Sequence, residues 1–159
     1  MTADLPRSPA QALRAAAAYL RRYDWHPGPG LYDPHNGCTH SKCRVVRSGM
    51  YPATIYGSLR VALLGRPAWF AITDPATAAA YAATVDHFAH HLGTRGAAGM
   101  RAAILPWEHA PGRTRQHVMT ALLAAADTAS TAPFPPVRLA PVIPLPVRPS
   151  ETGRPRRIA

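Results

Sequence analysis

Up to about residue 130, nearly every large apolar residue of this chain falls at helical spacing, whereas eight prolines punctuate residues 133–159. Apolar side chains recurring at i, i+3, i+4 and i+7 share one side of a helix, and proline removes a backbone donor that helix interiors and central strands both need. The chain is therefore expected to divide into a helical domain, residues 1–131, and an extended, polyproline-like, disordered tail, residues 132–159. The expected class is all-α, a compact bundle of four to five short helices followed by that Pro/Arg-rich tail.

Local signals place the helices. Ser8 caps the first, Pro9 takes its first position, Gln11 completes an S-x-x-Q capping box, and Leu13, Ala16, Ala17 and Leu20 share a face that ends near Tyr23. Pro27, Gly28, Pro29 and Gly30 make residues 25–37 a turn-rich loop, and Val45-Val46 offers at most a very short strand. A second helix is expected over residues 53–64, with Ile55, Leu59, Ala62 and Leu63 inward and Gly65 as terminator. The third starts at Asp74 and Pro75, buries Ala78, Tyr81, Ala82, Val85, Ala89 and Leu92, and ends at Gly93. A fourth covers residues 97–105, with Pro106 as its stop and residues 107–112 as a loop. The last runs from the cap Thr114 to about Ala129, with Val118, Ala121, Leu122 and Ala125 facing inward.

Charge and composition narrow the setting. The 18 Lys+Arg exceed the 8 Asp+Glu, giving a formal +10, and Lys42 is the one lysine, an Arg-for-Lys, Ala-rich usage expected of a GC-rich genome. No apolar run reaches the length of a membrane-spanning helix. Residues 12–20 are broken by Arg14, and Arg21-Arg22 leads into Tyr23-Asp24-Trp25-His26, so neither a secretory nor a twin-arginine leader is expected. With two cysteines and no export signal, the expected location is the cytoplasm.

Trp107-Glu108-His109-Ala110-Pro111-Gly112-Arg113-Thr114, followed by an Ala/Leu helix, resembles the W-N-D-x-P-G-R-T motif of a family of small actinobacterial and phage-borne proteins of unknown function. Residues 12–16 with Trp25 and Tyr32-Asp33, and the segment Tyr56-Gly57-Ser58-Leu59-Arg60-Val61-Ala62, are similar to the same pattern, over roughly residues 8–130. Glu108 and His109 stand where that pattern has Asn and Asp. The resemblance implies a helical domain and an actinobacterial or phage source, and it implies no reaction.

Three groups of residues could carry chemistry. His35, Cys38, His40 and Cys43 are donors that zinc takes, although all four fall in one short loop, whereas structural zinc sites draw ligand pairs from separated elements. A plain polar loop, a Cys38–Cys43 disulfide and thiol chemistry at Cys43 beside Lys42 and Arg44 are the other readings. Apart from zinc, no cofactor is expected. His87, His90 and His91 stand at i, i+3 and i, i+4, but the Glu of H-E-x-x-H is missing and a solvent-facing polar stripe explains them. The third group is Trp107, Glu108, His109, Arg113 and Thr114, where a Trp face and a helix N-terminus could hold a small ligand or anion. The plainer reading there is a Trp-pinned loop, a Glu108–Arg113 pair and a Thr114 cap. Arg21 and Arg22 are counted with this group as binding candidates.

The function expected from these observations is a non-catalytic, basic helical binding module that engages an acidic protein or nucleic acid, because no complete catalytic set accompanies the +10 charge. The arginines are spread along the chain, so any clustering must come from the fold, and the apolar 65–74 link is too long for a helix-turn-helix. In the tail, Pro141-Val142-Ile143-Pro144 and Pro146-Val147-Arg148-Pro149 match P-x-x-P, a segment suited to a protein partner with an aromatic groove. A small zinc- or thiol-dependent enzyme, or a zinc-stapled domain, using the 35–43 loop, and a phage or mobile-element structural or assembly protein, are the alternatives.

Overall fold

A computed structural model describes residues 5–6, 8–34, 49–93, 100–131 and 133–134, with backbone alone for 100–103. Five helices account for most of them: α1 (Pro9–Tyr23), α2 (Ile55–Leu64), α3 (Pro75–His91), α4 (Met100–Glu108) and α5 (Arg115–Thr128). No regular strand occurs among the described residues; Ala53 forms isolated bridges with Trp25 and Tyr32. Val45-Val46, the 35–43 loop and the P-x-x-P segments lie outside the described residues.

The starts of α1, α2, α3 and α5 are each fixed by a side chain that satisfies an orphan amide of the first turn. Ser8 Oγ accepts from Gln11 N–H, Thr54 Oγ1 from Gly57 N–H, Asp74 Oδ2 from Thr77 N–H, and Thr114 Oγ1 from His117 N–H. Asp74 also accepts from the Thr77 hydroxyl, and these bonds pull its carboxyl below the ordinary carboxylate range. At the other end of α2, Gly65 takes φ 74°, and its amide donates back to Val61, a termination that glycine makes without steric cost.

Helix α1 is the hub, packed against α5, α2 and α3. Arg14 pairs with Asp127 at 3.0 Å and Arg115 with Asp24 at 3.3 Å, so α1 and α5 run antiparallel with an ion pair toward each end. Leu13, Ala16, Ala17 and Leu20 face Val118, Leu122, Ala125 and the buried residues of α2 in one core. Alanine carries little area to bury, so this core draws its larger volume from Phe88, Ile55, Leu59 and Ile104.

Two tyrosine hydroxyls pin the connections. Tyr19 Oη–H donates to the Tyr51 carbonyl at 2.6 Å and accepts from Tyr51 N–H at 3.1 Å; its burial pushes the hydroxyl up to about 12 despite that backbone contact. Tyr32 Oη–H donates to the Gly57 carbonyl and accepts from Ala68 N–H, both at 3.2 Å, which ties α2 to the chain that follows it. The 52–54 stretch lies between 24–26 and 31–33, held by His26 N–H to Ala53 O, Asp33 N–H to Pro52 O and Thr54 N–H to Leu31 O.

Two expectations need correction. The fourth helix does not stop at Pro106: α4 continues through Trp107 to Glu108, and His109 N–H still donates to Leu105 O at 2.9 Å. Proline at that place costs one backbone bond, and tertiary contacts of Trp107 and Glu108 hold the extra turn. The buried stripe of α3 is Ala80, Thr84, Val85, Phe88 and Ala89, rotated from the expected one, so that Ala78, Tyr81, Ala82 and Leu92 are only partly covered. Thr84 enters the core because its hydroxyl donates to the Ala80 carbonyl at 2.8 Å, which satisfies its polar atom within the helix.

Gly57 shows how closely α2 approaches its neighbour. A Cβ added there would stand 2.1 Å from the Leu31 carbonyl oxygen, a backbone atom that cannot rotate away. Gly57→Ala is expected to lower stability by about 1–3 kcal/mol, the range of an overpacked core, read as a reduced urea midpoint. An unchanged midpoint would show that the 31–33 segment yields freely.

Candidate functional site

The C-terminal end of α1 and the N-terminal end of α5 meet at one end of the bundle, and the end of α4 comes to the same place. Asp24 closes α1 with φ 80° and ψ 162°, a backbone combination that glycine alone adopts cheaply. Its carboxylate oxygen Oδ1 accepts from Trp25 N–H at 2.8 Å and from Arg115 Nη1 at 3.3 Å, and its carbonyl accepts from Ala53 N–H. These contacts from three segments hold the strained conformation.

Trp25 thereby turns its indole inward, to Glu108. The Glu108 side chain is fully buried, and its Oε1 accepts both Trp25 Nε1–H and Ile55 N–H, each at 2.8 Å. Ile55 is the first residue of α2, whose amide has no partner inside the helix, so the carboxylate serves as a cap supplied by a distant part of the chain. The other oxygen, Oε2, is buried with no hydrogen-bond partner among the described residues. Burial pushes the Glu108 carboxyl up from its ordinary 4.5, against the two hydrogen bonds and the nearby His109 and His26, which pull it down.

The expected Glu108–Arg113 pair does not form, for a physical reason. Arg113 instead stacks on the Trp107 ring, 3.9 Å from guanidinium carbon to ring centroid, and its Nε–H donates to the Trp107 carbonyl at 3.0 Å. There Arg113 stays partly exposed, with its guanidinium over the indole ring. Trp107 meets Phe88 edge-on at 6.2 Å on its inner side. Thr114 acts as the expected cap, and His117 completes a capping box by accepting from Thr114 N–H through Nδ1.

Of the candidate binding residues, the fold brings Trp107, Glu108, Arg113 and Thr114 together, with His109 exposed beside them. Arg21 and Arg22 are exposed in the last turn of α1 but diverge. Arg21 borders a shallow hollow with Met119 and Leu123 of α5, whereas Arg22 lies over the Tyr23 ring at 5.3 Å. His35, Cys38, His40 and Cys43 fall outside the described residues. Among the described residues, no group of three His, Cys, Asp or Glu is placed to hold a metal ion. His87, expected on a solvent face, is half-buried against α5, where its Nε2 meets the Ala125 carbonyl at 3.0 Å; His90 and His91 are exposed.

Sequence reading missed Asp24, Trp25 and Ile55 as parts of this arrangement. Trp25 and Ile55 lie 83 and 53 residues from Glu108, beyond any local pattern. The legible signal was an acid followed by Pro-Gly-Arg-Thr, and it suggested a short-range partner.

Glu108→Ala would strand two donors and open a cavity, so a loss of about 2–4 kcal/mol is expected in urea unfolding. Glu108→Gln keeps an acceptor and cannot ionise, which makes it the reference for pH. Because the folded carboxyl holds its proton to higher pH than the unfolded one, the native state binds more protons above 4.5. Stability contributed by Glu108 is thus full below that value and is lost as pH rises through the raised folded value. Wild type is expected to gain on Glu108→Gln between neutral pH and pH about 5; parallel profiles would contradict the assignment.

The chain belongs to a family of unknown function (DUF6197), whose family model matches residues 4–128. No curated protein and no solved structure matches it.

Proposed function

We propose that this member of a family without assigned function is a cytoplasmic, non-catalytic binding module for a polyanion, with nucleic acid as the partner class its arginines fit best. The observation that carries the reading is the end of the bundle where α1 and α5 meet. Arg21, Arg22, Arg113 and Arg115 stand there against two acids, of which Glu108 is buried and Asp24 is engaged with Arg115. Three of these arginines keep water-facing guanidinium groups on or near rigid helical turns, and Arg113 is braced on Trp107. A guanidinium offers two parallel donors to phosphate oxygens, a geometry that lysine lacks.

The distribution of charge along the sequence supports the same reading. Eight of the 18 Lys+Arg and six of the 8 Asp+Glu fall within the described residues, so the helical framework is close to neutral. Most of the +10 comes from other stretches, chiefly residues 35–48 with Lys42, Arg44 and Arg47, and residues 135–159 with five arginines against Glu151. A near-neutral framework carrying basic connecting and terminal stretches suits contact with a phosphate chain, where affinity comes from released counterions. No helix among the described residues is long and apolar enough to cross a membrane.

Fluorescence anisotropy with a labelled oligonucleotide tests the reading. For about four phosphate contacts, affinity is expected to fall roughly a hundredfold between about 50 and 200 mM salt. Arg21→Gln combined with Arg22→Gln, both exposed and outside the core, should flatten the salt slope by up to about two. Binding that does not change with salt would remove the electrostatic basis. Capture of an acidic protein with no oligonucleotide binding would transfer the surface to a protein partner.

A further inference from the structure

The link between α2 and α3 holds an exposed aromatic pair that the core does not use. Trp69 is 48% exposed and Phe70 85% exposed, on a loop that borders a groove of about 260 Å³ lined by Leu64, Arg66, Trp69, Phe70, Ile72 and Asp74. The two charges in this lining are opposite. Bonds from the Thr77 amide and hydroxyl hold the Asp74 carboxyl below the ordinary carboxylate range, so it stays ionised and balances Arg66. Apolar walls without net charge suit an uncharged, apolar occupant.

The rings are mounted in advance of any ligand. Ala68 N–H donates to Tyr32 Oη at 3.2 Å, and Arg60 Nη2 donates to the Phe70 carbonyl, so the backbone is fixed on both sides of Trp69. The Trp69 ring also meets Tyr32 edge-on at 4.8 Å and Tyr51 at 6.0 Å.

The described chain ends beside this groove. Phe134, its last residue, packs against the small cluster of Ala12, Leu63 and Ala80. Leu64, next in sequence to Leu63, lines the groove, and Ala80 lies in the early turns of α3, whose cap Asp74 forms the far wall. The sequence leaving Phe134 is Pro135-Pro136-Val137-Arg138 and then Leu139-Ala140-Pro141-Val142-Ile143-Pro144-Leu145-Pro146-Val147, a stretch of nine apolar residues. A four-residue spacer in a polyproline II helix spans about 12 Å, which carries that stretch from the Phe134 anchor to the neighbouring groove.

Independently of the polyanion reading, we infer that residues 139–147 dock in the groove against Trp69 and Phe70, as a ligand supplied by the same chain. A proline-rich strand loses little conformational freedom on binding, and its ring faces pack well on exposed aromatic side chains. The short tether sets an effective concentration of about millimolar, so a contact too weak to persist between separate molecules is well populated within one. The groove is thereby closed to other proline-rich segments until the tail leaves it. Arg148, Arg154, Arg156 and Arg157 follow the docked stretch and are not used by it.

Full-length protein and a labelled synthetic peptide of residues 135–149 test this by fluorescence anisotropy. Wild type should bind the peptide at least about tenfold more weakly than a full-length variant carrying Leu139→Ser, Ile143→Ser and Leu145→Ser, because its own tail competes. Adding Phe70→Ala to that triple variant should weaken the peptide roughly tenfold, the loss of an aromatic anchor. Phe70 is open to solvent, so its truncation leaves the fold intact. Equal affinity for wild type and the triple variant would show that the tail does not occupy the groove and would overturn the inference. Peptide binding that survives Phe70→Ala, or no binding to either chain, would overturn it as well. A wild-type dimer in sedimentation that the triple variant converts to monomer would place the tail in the groove of a second copy, which contradicts docking within one chain.

Discussion

One carboxylate oxygen, Glu108 Oε1, accepts a side-chain donor from Trp25 and a backbone donor from Ile55, and thereby joins the end of α4 to the chain after α1 and to the start of α2. An ionisable group buried with one oxygen unpartnered carries a cost of about 1–3 kcal/mol for that oxygen alone. The two donors it satisfies would cost at least as much if left stranded in the same place. The arrangement also accounts for local geometry elsewhere. Trp25 can reach inward because Asp24 takes a left-handed turn, and α4 can pass Pro106 because its last residue is fixed from two sides.

Around that junction the core is built from small residues and short distances. Ala10, Ala12, Ala16 and Ala17 let α1 approach its neighbours closely, and Gly57 lets α2 press against the Leu31 carbonyl. Such a core gains little per residue from burial, so polar contacts with fixed geometry carry more of the specificity than in a leucine-rich bundle. The hydroxyls of Tyr19 and Tyr32 act in this way, each holding a connection that would otherwise have few apolar contacts. The same tyrosines mount Trp69, so the bonds that fix the fold also present the exposed aromatic pair. Charge is organised separately: the described residues are nearly neutral, and four of their eight arginines stand where α1 ends and α5 begins.

What the sequence made legible follows from the range of the interactions involved. Ser8, Asp74, Gly65 and Thr114 act within a few residues of themselves, and they mark the ends of α1, α2, α3 and α5 close to where the structure has them. The inward faces of α1 and α2 were legible because leucine and isoleucine distinguish one side from the other. On α3, alanine is compatible with either side, and the placement of Phe88 between His87 and Ala89 disguised the largest fully buried side chain among the described residues. Pro106 marked a helix end by local rules, and the contacts that override it come from remote parts of the chain. For the site, proximity along the chain suggested Arg113 as the partner of Glu108. Desolvation opposes that pair, since a guanidinium would lose its water beside a fully buried carboxylate, whereas Arg113 over Trp107 stays partly exposed. The resemblance around residues 107–114 pointed to kinship, and the matched family adds none of these contacts, which come from packing.

Native-state hydrogen exchange at the Ile55 amide tests the central claim most directly. First-turn amides of a helix ordinarily exchange through small local openings, because nothing within the helix accepts from them. If Glu108 ties the bundle together, the Ile55 amide must exchange only by global unfolding, as slowly as the amides of Leu20 and Leu122 in the core, and Glu108→Ala must release it. Fast exchange at Ile55 in the wild-type chain would show that the Glu108 junction opens independently of the fold, which would contradict the account.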